Sequence, residues 1–417
     1  LPTLRLFIEP LRSLSGAGIG DTLGEFARPA VLAAILNTLE TGVASALLAL
    51  AIGTAAALAI ATTDMRGKRA FAFLFAMSML VAPHVVALAF KTFAGPASPL
   101  LGLFGLNPPP GTPNPVMGRG GIILVLGLHH APLAMLILLS GLKGLPHALV
   151  EAAGMDGAGP ARMTRDVILP VLRGHLVAAG LLAFVAAIGN FGIPALLGLP
   201  VNYVTLPTLI YRRMTSFGPG VIGDVALYSI LLAGLAGLAV IIAGRLLARP
   251  AVILAREAPL RPYWRLGFAR GMLETAAVLL VAVVVLVPAG SLLASALVPA
   301  LGVPLTWATV TPDPFVEVLF RQAASVRAFA NSFLFSALAA LGIAVIALPL
   351  AYAVERQAGR WRGPLRFFIE LPYALPGVVI AIAAILLFLR PIPLLNVSLY
   401  GTAFIILFAY LARFLSL

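Results

Sequence analysis

Apolar residues along this chain fall in long unbroken blocks, not in the three-to-four spacing of a soluble amphipathic helix. Blocks such as Val31 to Ala61, Phe71 to Phe90, Gly120 to Leu142 and Met272 to Pro288 approach or exceed the roughly 20 residues a helix needs to cross ~30 Å of hydrocarbon. They are too long, and too rich in Ala, Leu and Gly, for barrel strands. Hydropathy read with its breakers predicts nine membrane helices, near 31–62, 71–95, 119–141, 173–197, 222–248, 271–297, 328–354, 364–390 and 398–417. The expected fold class is therefore all-α, a polytopic membrane bundle.

Composition agrees: 61% of the 417 residues are hydrophobic and 10% charged, against about a quarter charged in soluble domains. A net charge of +13 would raise nucleic acid as a partner of a soluble protein, but the basic residues sit in short loops between apolar blocks, so nucleic acid is set aside. Alternating the loops across the bilayer puts Asp64 to Arg69, Leu142 to Arg173, Arg245 to Arg270 and Glu355 to Arg366 on one side. The positive-inside rule makes that side the cytoplasm. The opposite loops carry Pro and Gly, as in Asn107 to Pro115. Cysteine is absent, which removes thiol chemistry and Cys-based metal sites. No charged segment with a cleavage site precedes the first apolar block.

The chain repeats. Asn37-Thr38-Leu39 returns as Asn331-Ser332-Phe333, each followed by an Ala/Leu-rich span, a basic Gly loop (Met65 to Arg69; Gly359 to Gly363) and a span holding Pro83 or Pro376. Six spans separate the copies, so the repeat is parallel. The register gives a first half at 1–250 with a cytoplasmic loop at 142–172, a basic linker at 251–270, and a second half at 271–417. It also predicts a span ahead of Leu1 and a second large loop beyond Leu417. Both halves are thus expected to be incomplete, and the fragment as written is expected not to transport.

Glu151-Ala152-Ala153, then Gly157 and Val167-Ile168-Leu169-Pro170, fit the pattern E-A-A-x3-G-x9-I-x-L-P with Val167 in place of isoleucine. This loop should hold a short helix with Glu151 near its positive end, a turn at Gly157 and Gly159-Pro160, and a second helical stretch stopped by Pro170. Here the chain resembles the permease subunits of type I ABC importers. The resemblance implies a loop seated in a groove of a cytoplasmic ATPase, of which two copies are expected. It gives Glu151 polar or basic partners there, and uses Ala152, Ala153 and Gly157 for close approach, with Val167, Leu169 and Pro170 completing the motif. It also implies a periplasmic or extracellular substrate-binding protein and a bacterial inner-membrane location. No G-x4-G-K-[ST] phosphate loop is present, so no cofactor is expected on this chain and ATP belongs to the partner.

Gly189 to Gly198, with Tyr203 and Leu206 to Tyr211, resembles the fused permeases of the ferric-iron branch. Ferric iron is the cargo this implies, with thiamine, phosphonate or polyamine as alternatives. Polar residues inside apolar spans are default pathway candidates: Asn37, Glu40, His84, His129, His130, Asn190 and Asn331. Helix-to-helix hydrogen bonding is the plainer role for each. His129 and His130 point about 100° apart on a helix, which does not suit one ion, so no metal site is expected. An ion-coupled secondary transporter would need paired mid-membrane acids, and only Glu40 approaches that. An intramembrane enzyme has no H-E-x-x-H motif in its favour.

Overall fold

A computed structural model of the chain describes residues 28–216, 220–247, 262–300, 302–357, 375–389 and 399–415, with a few single positions between 359 and 372. Most of the loop around Gly359 to Gly363, the first half of the block at 364–390, and residues 251–261 of the linker lie outside the described residues.

Five helices are individually long and apolar enough to cross a membrane: α1 (Pro29–Thr62), α4 (Arg119–Lys143), α10 (Val221–Leu247), α11 (Ala269–Ala296) and α12 (Ala323–Arg356). Two further spans are broken. The block at 71–95 is α2 (Lys68–Leu80) and α3 (Pro83–Phe93), bent by 101°. Pro83 forces the preceding residue out of helical geometry, and Ala82 is extended at ψ 136°; the proline then opens the new helix. The second break separates α6 (Pro160–Val171) from α7 (Arg173–Ile188), at 73°. Two shorter apolar helices follow, α13 (Gly377–Phe388) and α14 (Phe404–Phe414). The nine expected spans thus become five long helices, two bent pairs and two short helices among the described residues.

The α1 sequence shows how the bundle is held. Its buried positions are small: Ala34, Thr38, Gly42, Ser45, Ala49, Gly53, Ala56 and Ala57 repeat at helical spacing. Its large side chains, Leu32, Leu36, Val43 and Leu47, face outward. That inverts the soluble pattern, because lipid solvates leucine well and close backbone approach is what packs membrane helices. The hydroxyls of Thr38, Thr41 and Ser45 satisfy themselves on carbonyls one turn back. The most extensive contact of α1 is with α4. A Cβ added to Gly53 would stand 2.6 Å from Ala134 Cβ and 2.8 Å from the Ala131 carbonyl oxygen.

Helix starts repeat as well: 29 and 323, and 83 and 377, lie 294 residues apart, and α1 and α12 each span 34 residues. Helix α7 packs on α1, α4 and α10, while α13 packs on α10 and α11 packs on α2 and α3. Residues 262–274 lie against the connector between α1 and α2. Tyr263 and Trp264 N–H both donate to the Thr62 carbonyl, and Leu266 N–H donates to Asp64.

Candidate functional site: a capped loop and a glycine-flanked break

The loop between α4 and α6 forms α5 (His147–Met155). Its geometry explains the spacing of the motif. After the helix ends, Gly157 N–H donates to Gly154 O at 3.1 Å and Ala158 N–H to Ala153 O at 3.0 Å. Gly157 itself is left-handed, with φ 73°. This is a Schellman C-cap, in which a residue free to take positive φ must stand four positions after the carbonyl that closes the motif. Ala153 and Gly157 occupy those two places.

Two details differ from the sequence reading. Glu151 is the fifth of the nine residues of α5, away from the positive end of the helix, because the chain enters helix earlier, after Pro146. Pro170 lies inside α6, and the break falls at Leu172. Pro170 has no N–H for the Asp166 carbonyl, and the turn immediately upstream, Thr164–Ile168, widens to π geometry to accommodate it.

The loop has an inner and an outer face. Val150, Met163, Ile168 and Leu172 are buried against the bundle, and Ala153 packs on the same cluster. Glu151, Ala152, Gly157 and Pro170 are exposed, while Val167 and Leu169 are partly buried. Leu149 (41% exposed) and Met155 (86%) share the outer face with Glu151 and Ala152. The sequence reading missed both; the available signal was helical phase, which turns Met155 about 140° and Leu149 about 100° away from Val150. An exposed Met beside small residues is an adaptable apolar contact, of the kind partner surfaces use.

At the far end, the chain between α7 and α9 (Leu206–Met214) breaks at Gly189 to Gly192 before the short helix α8 (Gly192–Leu197). Asn190 caps this turn, accepting from Ile193 N–H at 3.1 Å. The start of α3 meets it on one side: a Cβ on Gly192 would lie 2.9 Å from His84 Cβ. On the other side a Cβ on Gly189 would lie 2.9 Å from Pro376 Cβ, at the start of α13. Two helix starts from the two repeats therefore converge on one glycine-flanked break.

Beside it, Glu40 pairs with Arg119 and accepts from the Tyr203 hydroxyl at 3.2 Å. Asn37 donates to the Val204 carbonyl at 2.9 Å, and Thr38 accepts from Leu206 N–H at 2.8 Å. Glu40 stands twenty-two residues before the end of α1 at Thr62, about 33 Å along the axis, and so at the level of the 199–205 turn rather than of the α5 loop. Arg119 was not singled out from sequence, because its role depends on α4 starting level with Glu40. His84 is exposed, and Asn331 is exposed on α12, away from this cluster. His129 and His130 are buried in α4 with rings crossing at 72°. Among the described residues no group of three or more His, Cys, Asp or Glu is arranged to hold a metal ion.

Comparison with known proteins places this architecture. Residues 49–251 match the family described as binding-protein-dependent transport system inner membrane component. A probable ABC transporter permease protein y4fN of Sinorhizobium fredii is 25% identical over 98% of this chain and 72% of its own length. A putative 2-aminoethylphosphonate transport system permease protein PhnU of Salmonella choleraesuis is 28% identical over 43% of this chain and 63% of its own. The xylose/arabinose import permease protein XacH of Haloferax volcanii is 30% identical over 34% of this chain and 46% of its own. The last two matches thus span less than two thirds of those relatives. With its multi-pass apolar bundle and its matched segment running through the α5 loop, the chain carries over residues 49–251 the inner-membrane component of binding-protein-dependent transport systems, which supports a permease of the type I ABC importer kind.

Proposed function

We propose that this chain forms the gated membrane pathway of an ATP-driven importer and performs no bond chemistry itself. In this reading a separate cytoplasmic ATPase, in two copies, grips the outer face of α5, and a substrate-binding protein delivers cargo to the outer break. The chain is organised as two halves, 1–250 and 271–417, joined by the basic linker at 251–270. The observation that carries the reading is the Schellman-capped α5, which presents Glu151, Ala152 and Met155 outward while Val150 anchors it to the bundle. The pathway candidates Glu40, Asn37, His84 and Asn190 gather at the break near Gly189 to Gly192, and His129, His130 and Asn331 lie elsewhere.

For cargo we propose ferric iron, handed on by its receptor without a resident site. Glu40 and Tyr203 supply hard oxygen donors at the outer end, the ligand type a small, highly charged cation prefers. A phosphonate is the second reading, favoured by Arg119 in the same cluster and by the relative named for 2-aminoethylphosphonate.

The test is reconstitution of the full-length chain with the ATPase encoded beside it. Replacing Glu151 and Gly157 together should abolish cargo-dependent ATP turnover; wild-type coupling in that double variant would overturn the assignment. Binding of iron or phosphonate by the cognate receptor decides the cargo.

A further inference from the structure

Residues 262–274 make an unusual number of bonds to a connector of only five residues. Tyr263 and Trp264 N–H donate to the Thr62 carbonyl at 2.8 and 3.1 Å, and Thr63 and Trp264 form an isolated parallel bridge. Leu266 N–H donates to one oxygen of Asp64 at 3.0 Å, and the Arg270 guanidinium takes the other. In return Arg66 N–H donates to the Glu274 carboxylate of α11 at 2.9 Å. Every one of these contacts joins segments about 200 residues apart in sequence, and none belongs to the periodic bonding of a helix.

The connector also shares an apolar cluster with the α5 loop. Met65 is buried in the same apolar cluster as Leu145, Val150, Met163 and Ile168, and Tyr263, Trp264 and Leu273 pack on that cluster. Burial, and then the Glu151 carboxylate, push the Tyr263 hydroxyl above its ordinary pKa, which sets that ring within electrostatic reach of the motif glutamate. From here α11 crosses the bilayer to α3, where Ser291 and Thr92 hydroxyls share a hydrogen bond at 3.0 Å. Helix α3 begins at the outer break, with His84 against Gly192.

We propose that Asp64, Arg270 and Glu274 are positioning residues that latch α11, through the connector, to the apolar cluster it shares with the α5 loop, so that a displacement of α5 in the first half is delivered to the first described span of the second. The inference rests on the coupling role of α5 proposed above. Asp64 is the centre of the latch, because its two oxygens hold a backbone N–H and a guanidinium at once, leaving the 262–270 segment one orientation.

These 417 residues hold no cysteine, so a Thr63→Cys/Trp264→Cys pair introduced into the full-length protein adds the first thiols to this part of it. Three readouts are expected. The pair should form a disulfide on mild oxidation, and transport should survive it, because the latch stays shut as the loop moves. Asp64→Asn should lower cargo moved per ATP hydrolysed by about fivefold or more, the low end of a typical coupling effect. Its melting temperature should fall only slightly, and its association with the ATPase should stay at the wild-type value. The charge exchange Asp64→Arg/Arg270→Asp should recover part of that ratio, a rescue that a merely structural role would not give. Failure to cross-link, loss of transport on cross-linking, or an Asp64→Asn variant with the wild-type ratio would each overturn the latch. Failure of the underlying reading looks different: the Glu151/Gly157 variant stays coupled, or no ATPase associates with the wild-type chain. Either result removes the latch's role while the disulfide still reports its geometry.

Discussion

Substitution at Gly157 isolates the geometry of α5 from its surface chemistry. A Cβ added there would meet nothing within 4 Å, so alanine brings no clash, and its whole effect is the cost of holding an L-residue at φ 73°. That cost is about 1–2 kcal/mol. It reduces the population of the Schellman turn relative to alternatives by a factor of about 5–30. Asparagine, which tolerates the left-handed region, should restore most of it. In reconstituted vesicles, cargo-stimulated ATP turnover should therefore rank glycine, then asparagine, then alanine, with valine lowest. Basal ATP hydrolysis and the melting temperature of the membrane bundle should change little, since the turn is exposed and outside the core. If alanine and asparagine behaved alike, or if Gly157→Ala were fully active, the argument that backbone conformation sets this position would be wrong.

Three other outcomes follow from the packing and charges. Gly53→Ala should destabilise the bundle by about 1–3 kcal/mol, because its Cβ would press on Ala131 and Ala134 backbone and side-chain atoms that cannot yield. Thermal unfolding in detergent checks this against Gly120→Ala, where the added atom meets nothing, and equal melting temperatures would refute it. Glu40→Gln and Arg119→Gln should each shift the cargo dependence of uptake while changing stability by less than about 1 kcal/mol, since the pair is 38% and 63% exposed. A large loss of stability in either variant would show the pair to be structural. Asp64 offers a pH test: the Leu266 N–H first, and Arg270 with it, hold its carboxyl below the ordinary value of 3.8. A group with a lowered folded pKa stabilises above its unfolded value and loses that contribution as pH falls through the folded one. Trp264 fluorescence, with the other two tryptophans replaced by phenylalanine, should stay flat from pH 8 to pH 5 and change only below 3.8. A midpoint above pH 5 would count against the contact.

The spans were legible because lipid imposes a length and a polarity that hydropathy measures directly. Hydropathy cannot see direction, however, and a window over 71–95 averages across the right-angle turn that Pro83 imposes. The proline was visible; the size of the bend depends on what α3 packs against, namely α11 and α8. The α5 loop was readable to within a turn because its glycine must occupy a position fixed by backbone hydrogen bonds. Glu151 was placed wrongly because the true helix start has no side-chain cap, only Pro146. The contacts of Arg119 and Tyr203 with Glu40 stayed hidden for a different reason. Each residue lies far from Glu40 in sequence, and only the level at which α4 and the 199–205 turn meet α1 brings them to it.

The crossing of α1 and α4 at Gly53 carries a mechanical consequence. Where backbones touch with no layer of flexible side chains between them, sliding one helix past the other would drive carbonyls into carbons at every step. These two rods can only tilt together, as one plank. A gating movement of the kind proposed above would therefore flex at the chain breaks, Ala82, Leu172 and Gly189, and swing the plank whole.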